Sequence, residues 1–207
     1  IFILSLFSLE AMPEPVSVLK QKQPYFRNQV IEKGPGGMQT ILLYDANEPV
    51  KQLSFDIDGR LENETDVKRL DGKVVAHGPS VEYSENGKIE RIDLYYEGKL
   101  HGEATSFFPN GLIKHSTYFV MGKKWGEDKG YYENGKIAFK AHFKDGLPSG
   151  EREEFYEKGG RKSLKNYENG LLQGLKEEWN ENGELVESIL FLNGVPHSQK
   201  KVKALTR

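Results

Sequence analysis

The side chains in this sequence that could do chemistry are five histidines and a run of carboxylates. His77, His101 and His197 occupy one phase of a repeated pattern, so neighbouring members would lie about 10 Å apart on two-stranded units. That distance is too long for a shared metal ion. His115 and His142 are single strand residues with no evident partner in the sequence. We therefore expect structural histidines and no metal site.

The carboxylates are also better explained by structure than by catalysis. They fall on a strand whose inward position is Phe155, where charge keeps a sheet surface solvated and protects its edge. The carboxylates are Glu151, Glu153, Glu154 and Glu157. The chain contains no G-x-S-x-G, H-E-x-x-H or G-K-[ST] motif, and its lack of cysteine excludes disulfides, thiolate metal sites and a cysteine nucleophile. We predict a protein that is not an enzyme and that uses no cofactor.

A glycine pattern with a period of 24 residues organises the sequence from Gly78 to Gly194. Fifteen of the 22 glycines lie on three phases of this period, and two aromatic columns run in step with them. The glycine phases are Gly78, Gly102, Gly126, Gly150, Gly174; Gly87, Gly111, Gly135, Gly159, Gly183; and Gly98, Gly122, Gly146, Gly170, Gly194. The aromatic columns are Tyr83, Phe107, Tyr131, Phe155, Trp179 and Tyr95, Phe119, Phe143, Tyr167, Phe191. Such self-similarity identifies a repeat protein.

Each repeat has the pattern of a β-hairpin, with two aromatic-rich runs separated by an Asn-Gly turn. In the third unit, Tyr131 should oppose Ile137, which requires a three-residue type I turn with Gly135 in the left-handed conformation. Both aromatic columns have odd numbers, so we expect them on one face. The second turn, from Lys144 to Gly150, is predicted to be longer because it carries Pro148, which is disfavoured in a paired strand.

Stacking of these units predicts an all-β fold: an elongated single-layer antiparallel sheet of 24-residue β-hairpins. A single hairpin is marginally stable in water, so each unit must bury its rings against its neighbours. The predicted organisation has four parts. They are a truncated signal or anchor segment at 1–11, a linker with degenerate capping hairpins at 12–76, five repeats at 77–197 and a basic tail at 198–207.

The repeat resembles the MORN repeat, and in particular the shorter bacterial variant found in YwqK-type antitoxins. The shared motif is Y-x-x-N-G-K-I, as in Tyr131 to Ile137, followed by an aromatic residue and Gly-x-x-x-Gly, as in Phe143, Gly146 and Gly150. The resemblance covers Gly78 to about His197. It implies a noncatalytic protein-binding module that neutralises a partner protein, such as a toxin domain, as an antitoxin or immunity protein does.

The alternative function is a structural module of a membrane surface or cell envelope. Residues 1–9 are apolar but too few to span a bilayer, and they fit the remnant of a signal peptide cleaved near Ala11. Export or envelope association is expected on that interpretation, and a cytoplasmic location otherwise. A net charge of −2 with dispersed Lys and Arg gives no footprint for nucleic acid.

Four aromatic residues at even positions are the predicted partner-binding residues. Tyr132, Tyr156, Tyr96 and Phe108 should project away from the aromatic columns, where an exposed aromatic group is a plausible hot spot. The open edges of a single sheet also allow oligomers to form by pairing of edge strands.

Overall fold

A computed structural model describes residues 28–34 and 37–201, and these residues form one antiparallel sheet of seventeen strand segments. The strands are β1 (Asn28–Lys33), β2 (Gln39–Asp45), β3 (Glu48–Phe55), β4 (Leu61–Leu70), β5 (Lys73–Tyr83), β6 (Ile89–Tyr96), β7 (Lys99–Phe107), β8 (Ile113–Val120), β9 (Lys123–Tyr131), β10 (Ile137–Lys144), β11 (Leu147–Pro148), β12 (Gly150–Phe155), β13 (Arg161–Glu168), β14 (Leu171–Leu172), β15 (Gly174–Trp179), β16 (Leu185–Leu192) and β17 (Val195–Lys201). The predicted all-β, single-sheet fold is confirmed.

Neighbours in sequence are neighbours in the sheet. Each strand pairs with the next in antiparallel register, and the short segments β11 and β14 pair with the strands that precede them. β11 and β12 are two halves of one strand interrupted at Ser149, whose amide still donates to the His142 carbonyl at 2.9 Å. Within the described residues the sheet is therefore a ladder of stacked hairpins.

The Asn-Gly turn has the geometry that the sequence predicts. Tyr131 opposes Ile137, and the Tyr132 amide donates to the Lys136 carbonyl at 2.8 Å. Gly135 donates to the Tyr132 carbonyl and has a φ of 80°, as the left-handed residue that follows a type I turn. The fourth unit lacks the Asn but closes in the same way, because Gly160 and Gly159 supply the corresponding bonds to Tyr156.

The prediction of a long second turn is wrong. Asp145 and Gly146 form a two-residue turn with φ values of 53° and 84°, the signs of type I′, and Lys144 opposes Leu147. Pro148 lies in β11 opposite Phe143. This is the second pair from a two-residue turn, where facing residues exchange no hydrogen bond, so the missing proline N–H costs nothing on that side.

The prediction that both aromatic columns share a face is also wrong. A bulge follows the Asn-Gly turn in each unit, and in the third unit the register shifts between Ile137 and Phe139. Beyond the bulge, odd residues of one strand oppose even residues of the other, as Ala141 opposes Asp128. The Tyr95 column therefore lies with Asp128 on one face, here called the front face, and the Tyr83 column lies on the other, the back face.

Two kinds of contact join successive hairpins besides the strand ladders. The glycine amide of each type I′ turn donates to a carbonyl of the preceding unit: Gly98 to Ala76, Gly122 to Leu100, Gly146 to Lys124, Gly170 to Pro148 and Gly194 to Leu172, at 2.7–3.0 Å. At the other edge of the sheet, Tyr132 and Tyr156 donate their hydroxyls to the carbonyls of Phe155 and Trp179. These bonds recur with the sequence period and fix the stacking of neighbouring units.

The same two turn types continue toward the N terminus. Gly59 donates to the Asp56 carbonyl as Gly135 does to Tyr132, and Asp71 and Gly72 have φ values of 48° and 78°. The segment expected to be a signal remnant, 1–11, lies outside the described residues. The basic tail is described only to Lys201, where it continues β17.

Candidate binding surfaces

A central row on the front face differs from unit to unit, whereas the glycine and aromatic positions beside it repeat. Its members oppose one another across successive strands, and several are buried although no second layer covers them. In chain order the row is Ser80, Asp93, Ala104, Thr117, Asp128, Ala141, Arg152, Lys165, Lys176 and Ile189. The flanking aromatic side chains of the Tyr95 column are half-buried. The repeated positions build the fold, which leaves the central row free to vary.

Asp128 is the most strongly held charge of this row. Its carboxylate, 5% exposed, contacts His115 Nε2 at 2.5 Å and Lys124 Nζ at 2.9 Å. Burial alone would raise the pKa of Asp128, but the hydrogen bonds from His115 and Lys124 outweigh it and the net shift is downward. The carboxylate is therefore ionised at neutral pH and is bonded to both His115 and Lys124.

The row becomes cationic toward the C terminus. Arg152 contacts Glu154 at 3.1 Å and lies over the Phe139 ring at 5.0 Å. Lys165 reaches the same Glu154 carboxylate at 3.5 Å. Lys176 is held by Glu178 at 2.8 Å and by Glu187. The front row thus has a carboxylate-bearing half, in which Asp93 and Asp128 are buried, followed by a cationic half, in which each of the three cations is paired with a glutamate of the same face.

The back face carries most of the exposed large apolar side chains of the described residues. They lie in the half of the sheet next to the type I′ turns and form what we call the apolar strip. Its members are Leu94, Tyr96, Tyr118, Val120, Trp125, Leu147, Leu171, Leu175, Leu192 and Val195, which are 36–59% exposed. The strip extends from β6 to β17 along one side of one face.

The four predicted partner-binding residues do not form one site. Phe108, Tyr132 and Tyr156 share a phase at the Asn-Gly edge, where they are half-buried and the two tyrosine hydroxyls bond to the next unit. Tyr96 lies at the opposite edge, in the apolar strip, and is 45% exposed. Partner binding by these residues stays a prediction, but two of them have a structural contact that the sequence did not reveal.

Tyr96 lies between two histidine rings, a placement that the sequence pattern does not predict. Its ring centroid is 5.1 Å from that of His77 and 5.8 Å from that of His101. The Nδ1 atoms of these histidines accept hydrogen bonds from the amides of Glu97 and Met121 in the type I′ turns. Gln173 does the same for Asn193 in the last unit. The shared phase of the histidines thus marks a turn-supporting position.

Other chemistry-bearing groups do not assemble into a reactive site in the part of the chain that the structure describes. No group of three or more His, Asp and Glu residues there could hold a metal ion. Ser106 lies opposite His115 in the register, but no hydrogen bond joins them among the described residues. A shallow polar cleft of about 190 Å³ beside Arg60 and Tyr83 is lined mainly by charged groups. Burial and the Glu64 carboxylate raise the pKa of Tyr83.

Comparison with known protein families supports a MORN-repeat protein. Residues 76–97 and 126–145 match the MORN repeat variant. These segments lie in the first and third units, where they cover part of β5 with all of β6 and part of β9 with all of β10. MORN repeats are generally noncatalytic modules for binding or scaffolding. No curated protein matches the chain. Among the described residues, no helix is long and apolar enough to cross a membrane.

Proposed function

We propose that this chain is a protein-binding module whose recognition surface is the central row of the front face. The observation that carries the proposal is the variation of this row within a repeated frame. Asp128, Arg152 and Lys176 occupy one phase of the repeat, yet they differ in charge and size, while the glycines and rings beside them recur. A row that varies on a constant scaffold is how repeat arrays distinguish partners across an extended surface.

The partner is a protein that places carboxylates against the cationic half, where Arg152, Lys165 and Lys176 keep 21–33% of their side chains exposed. Charges paired in this way set the register and orientation of a complex more than its raw affinity. The resemblance to YwqK-type antitoxins supports a finer proposal, in which the partner is a toxin domain that this chain neutralises. That step rests on the resemblance of the repeats alone.

The test is capture of a partner with the whole chain, followed by expression of the captured protein alone and together with the chain. The proposal expects one stoichiometric partner that inhibits growth alone and is harmless when co-expressed. A triple variant should neither capture the partner nor protect cells from it. Its substitutions are Arg152→Ala, Lys165→Ala and Lys176→Ala.

The matched control removes the same charge from the Asn-Gly edge: Lys136→Ala, Lys158→Ala, Lys162→Ala. Normal capture by this control and loss with the front-face variant support the proposed surface. The reverse result would reject it in favour of the edge that carries Phe108, Tyr132 and Tyr156. A captured partner that does not affect growth would reject the toxin, whatever the surface.

A further inference from the structure

The apolar strip of the back face is complementary to itself. Two rows border it: a turn row, formed by the residues that close the type I′ turns, and an inner row on the same strands, closer to the middle of the sheet. The turn row includes Tyr96, Lys99, Val120, Lys123, Leu171 and Leu192. The inner row includes Leu94, Glu103, Tyr118, Glu127, Leu175 and Leu190. With β11 counted with β12 and β14 with β15, the two rows match on six of ten strand positions, apolar with apolar or lysine with glutamate. On the other four they do not match: Lys144 accompanies His142, Leu147 accompanies Glu151, Glu168 accompanies Asn166 and Val195 accompanies Ser198.

We propose that the occupant of the strip is a second copy of this chain, related by a two-fold axis along the array. This axis passes through the middle of the strip, so each strand faces the same strand of the second copy and the turn row faces the inner row. The two sheets then pack face to face over the halves that carry the type I′ turns, as in aligned sheet packing. The proposal concerns a different face from the partner-binding surface and does not depend on it.

The apolar strands match under this axis. On β8, Val120 faces Tyr118 of the second copy, and on β6, Tyr96 faces Leu94. Toward the C terminus, Leu171 faces Leu175 and Leu192 faces Leu190 in the same way. Apart from Leu190, which is half-buried, these side chains are 36–51% exposed in the single chain, and their burial is what would drive association.

The charged strands match as well. On β9, Lys123 faces Glu127 of the second copy, while Trp125, between them, lies near the axis. On β7, Lys99 faces Glu103. The two lysines form no ion pair with another described residue. Among the described residues, Glu127 pairs with Lys129 and, at 4.0 Å, with His142, and its side chain is 57% exposed.

Other occupants fit these charges less well. A two-fold axis along the strands would also bring strip onto strip, but it would set Lys123 against Lys123 and Glu127 against Glu127. An anionic membrane surface would attract Lys99 and Lys123 but repel Glu103 and Glu127 on the same strands. The axis along the array instead sets Lys99 opposite Glu103 and Lys123 opposite Glu127.

The strip is large enough for a specific dimer. It crosses ten strand positions, which at about 4.8 Å each gives a length of ~43 Å, and the five residues from Lys99 to Glu103 give a width of ~15 Å. Each copy would therefore contribute about 650 Å², or ~1,300 Å² in total, which lies within the range of specific interfaces.

The test is reciprocal charge reversal in the full-length chain, measured by sedimentation equilibrium. The wild type should have twice the 23.6 kDa mass of the single chain. Lys123→Glu and Glu127→Lys should each raise the dimer dissociation constant about tenfold or more, because each creates two like-charge contacts. The double variant should recover most of the wild-type affinity. Lys136→Glu, the same change at the Asn-Gly edge, should have no effect.

Cross-linking provides a second measurement of the dimer, and it does not depend on whether the charge-reversal variants fold. The chain has no cysteine, so Trp125→Cys introduces a single thiol near the axis. A short bis-maleimide that spans the ~10 Å between packed sheets should link two copies. Leu112→Cys, an exposed position at the other edge, should not link. A wild type that stays monomeric, a double variant no tighter than the single ones, or equal linking of the two cysteine variants would overturn the proposal. A monomer that instead sediments with lipid vesicles would overturn it as well.

Discussion

The hydroxyl of Tyr156 should stabilise the stacking of two repeats, and its removal tests that contribution. This hydroxyl donates a hydrogen bond to the Trp179 carbonyl of the next unit at 2.8 Å, in a half-buried position. The sequence itself contains the substitution, since Phe108 occupies the same phase without a hydroxyl. Tyr156→Phe should therefore keep the ring packing and lose one hydrogen bond, at a cost of about 1 kcal/mol. Tyr132→Phe should cost about the same, because its hydroxyl donates to the Phe155 carbonyl of the next unit in the same way.

The assay is urea and thermal unfolding followed by circular dichroism. For a chain of this size a loss of 1 kcal/mol corresponds to a fall in Tm of about 2–4 °C. Tyr167→Phe is the matched control, because Tyr167 is half-buried like Tyr156 and its hydroxyl makes no hydrogen bond with another described residue. If Tyr156→Phe were as stable as Tyr167→Phe, the hydrogen bond between repeats would not contribute to stability, and its role in stacking the units would be refuted. Unchanged affinity of Tyr156→Phe for a captured partner would separate this structural role from binding.

Two further predictions concern backbone strain and acid stability. Gly102 has a φ of 116°, and an added Cβ would lie 2.9 Å from Leu94 Cδ1, whereas a Cβ at Gly126, with a φ of 76°, would meet no neighbouring atom. In urea unfolding, Gly102→Ala should therefore be about 1 kcal/mol more destabilising than Gly126→Ala. Equal losses of stability would show that the contact with Leu94 does not matter. The lowered pKa of Asp128 means that its ionised form stabilises the fold above the unfolded value of about 3.9, and that this stability is lost as pH falls through the folded value. Asp128→Asn should thus lower the free energy of unfolding by about 1–3 kcal/mol at pH 7 and by much less near pH 2. Glu133→Gln, at an exposed position, should leave stability unchanged at both pH values. A loss for Asp128→Asn that does not depend on pH would show that the charge of Asp128 does not stabilise the fold.

The sequence predicts the hairpins and their order well because glycine phases carry strong local information. A left-handed residue is needed at Gly135 whatever surrounds it, so the turn follows from the motif. The sequence does not predict the type I′ turn, because Pro148 follows it and proline is disfavoured in a paired strand. The proline is tolerated because its position opposite Phe143 requires no amide bond. Turn type is decided here by the pairing around the turn and not by the proline.

The bulge after each Asn-Gly turn is what the sequence could not show. Side-chain parity alone places Tyr131 and Phe143 on one face, but one unpaired residue near Ala138 reverses the parity of the strand. The error also affected the candidate site. Tyr132 and Tyr156 were expected to project away from the rings as free aromatic groups, but they lean across the edge to the next unit.

The same bulge lets the two faces of a single-layer sheet have different roles. With one aromatic column on each face, neither face depends on a second layer for its stability, and both can vary outside the ring and glycine positions. On the front, variation produces a row that changes from Asp128 to Arg152 within one repeat, as needed to distinguish a partner. On the back face, Lys123 and Glu127 lie on either side of Trp125 on one strand. Each charge can therefore face the opposite charge on a second copy of the same surface. A chain that pairs through the back would present two front rows, and would hold two partner molecules per dimer. Sedimentation of the complex with a captured partner measures that ratio directly: two chains with two partners is expected, and two chains with one partner would show that the front rows do not act independently.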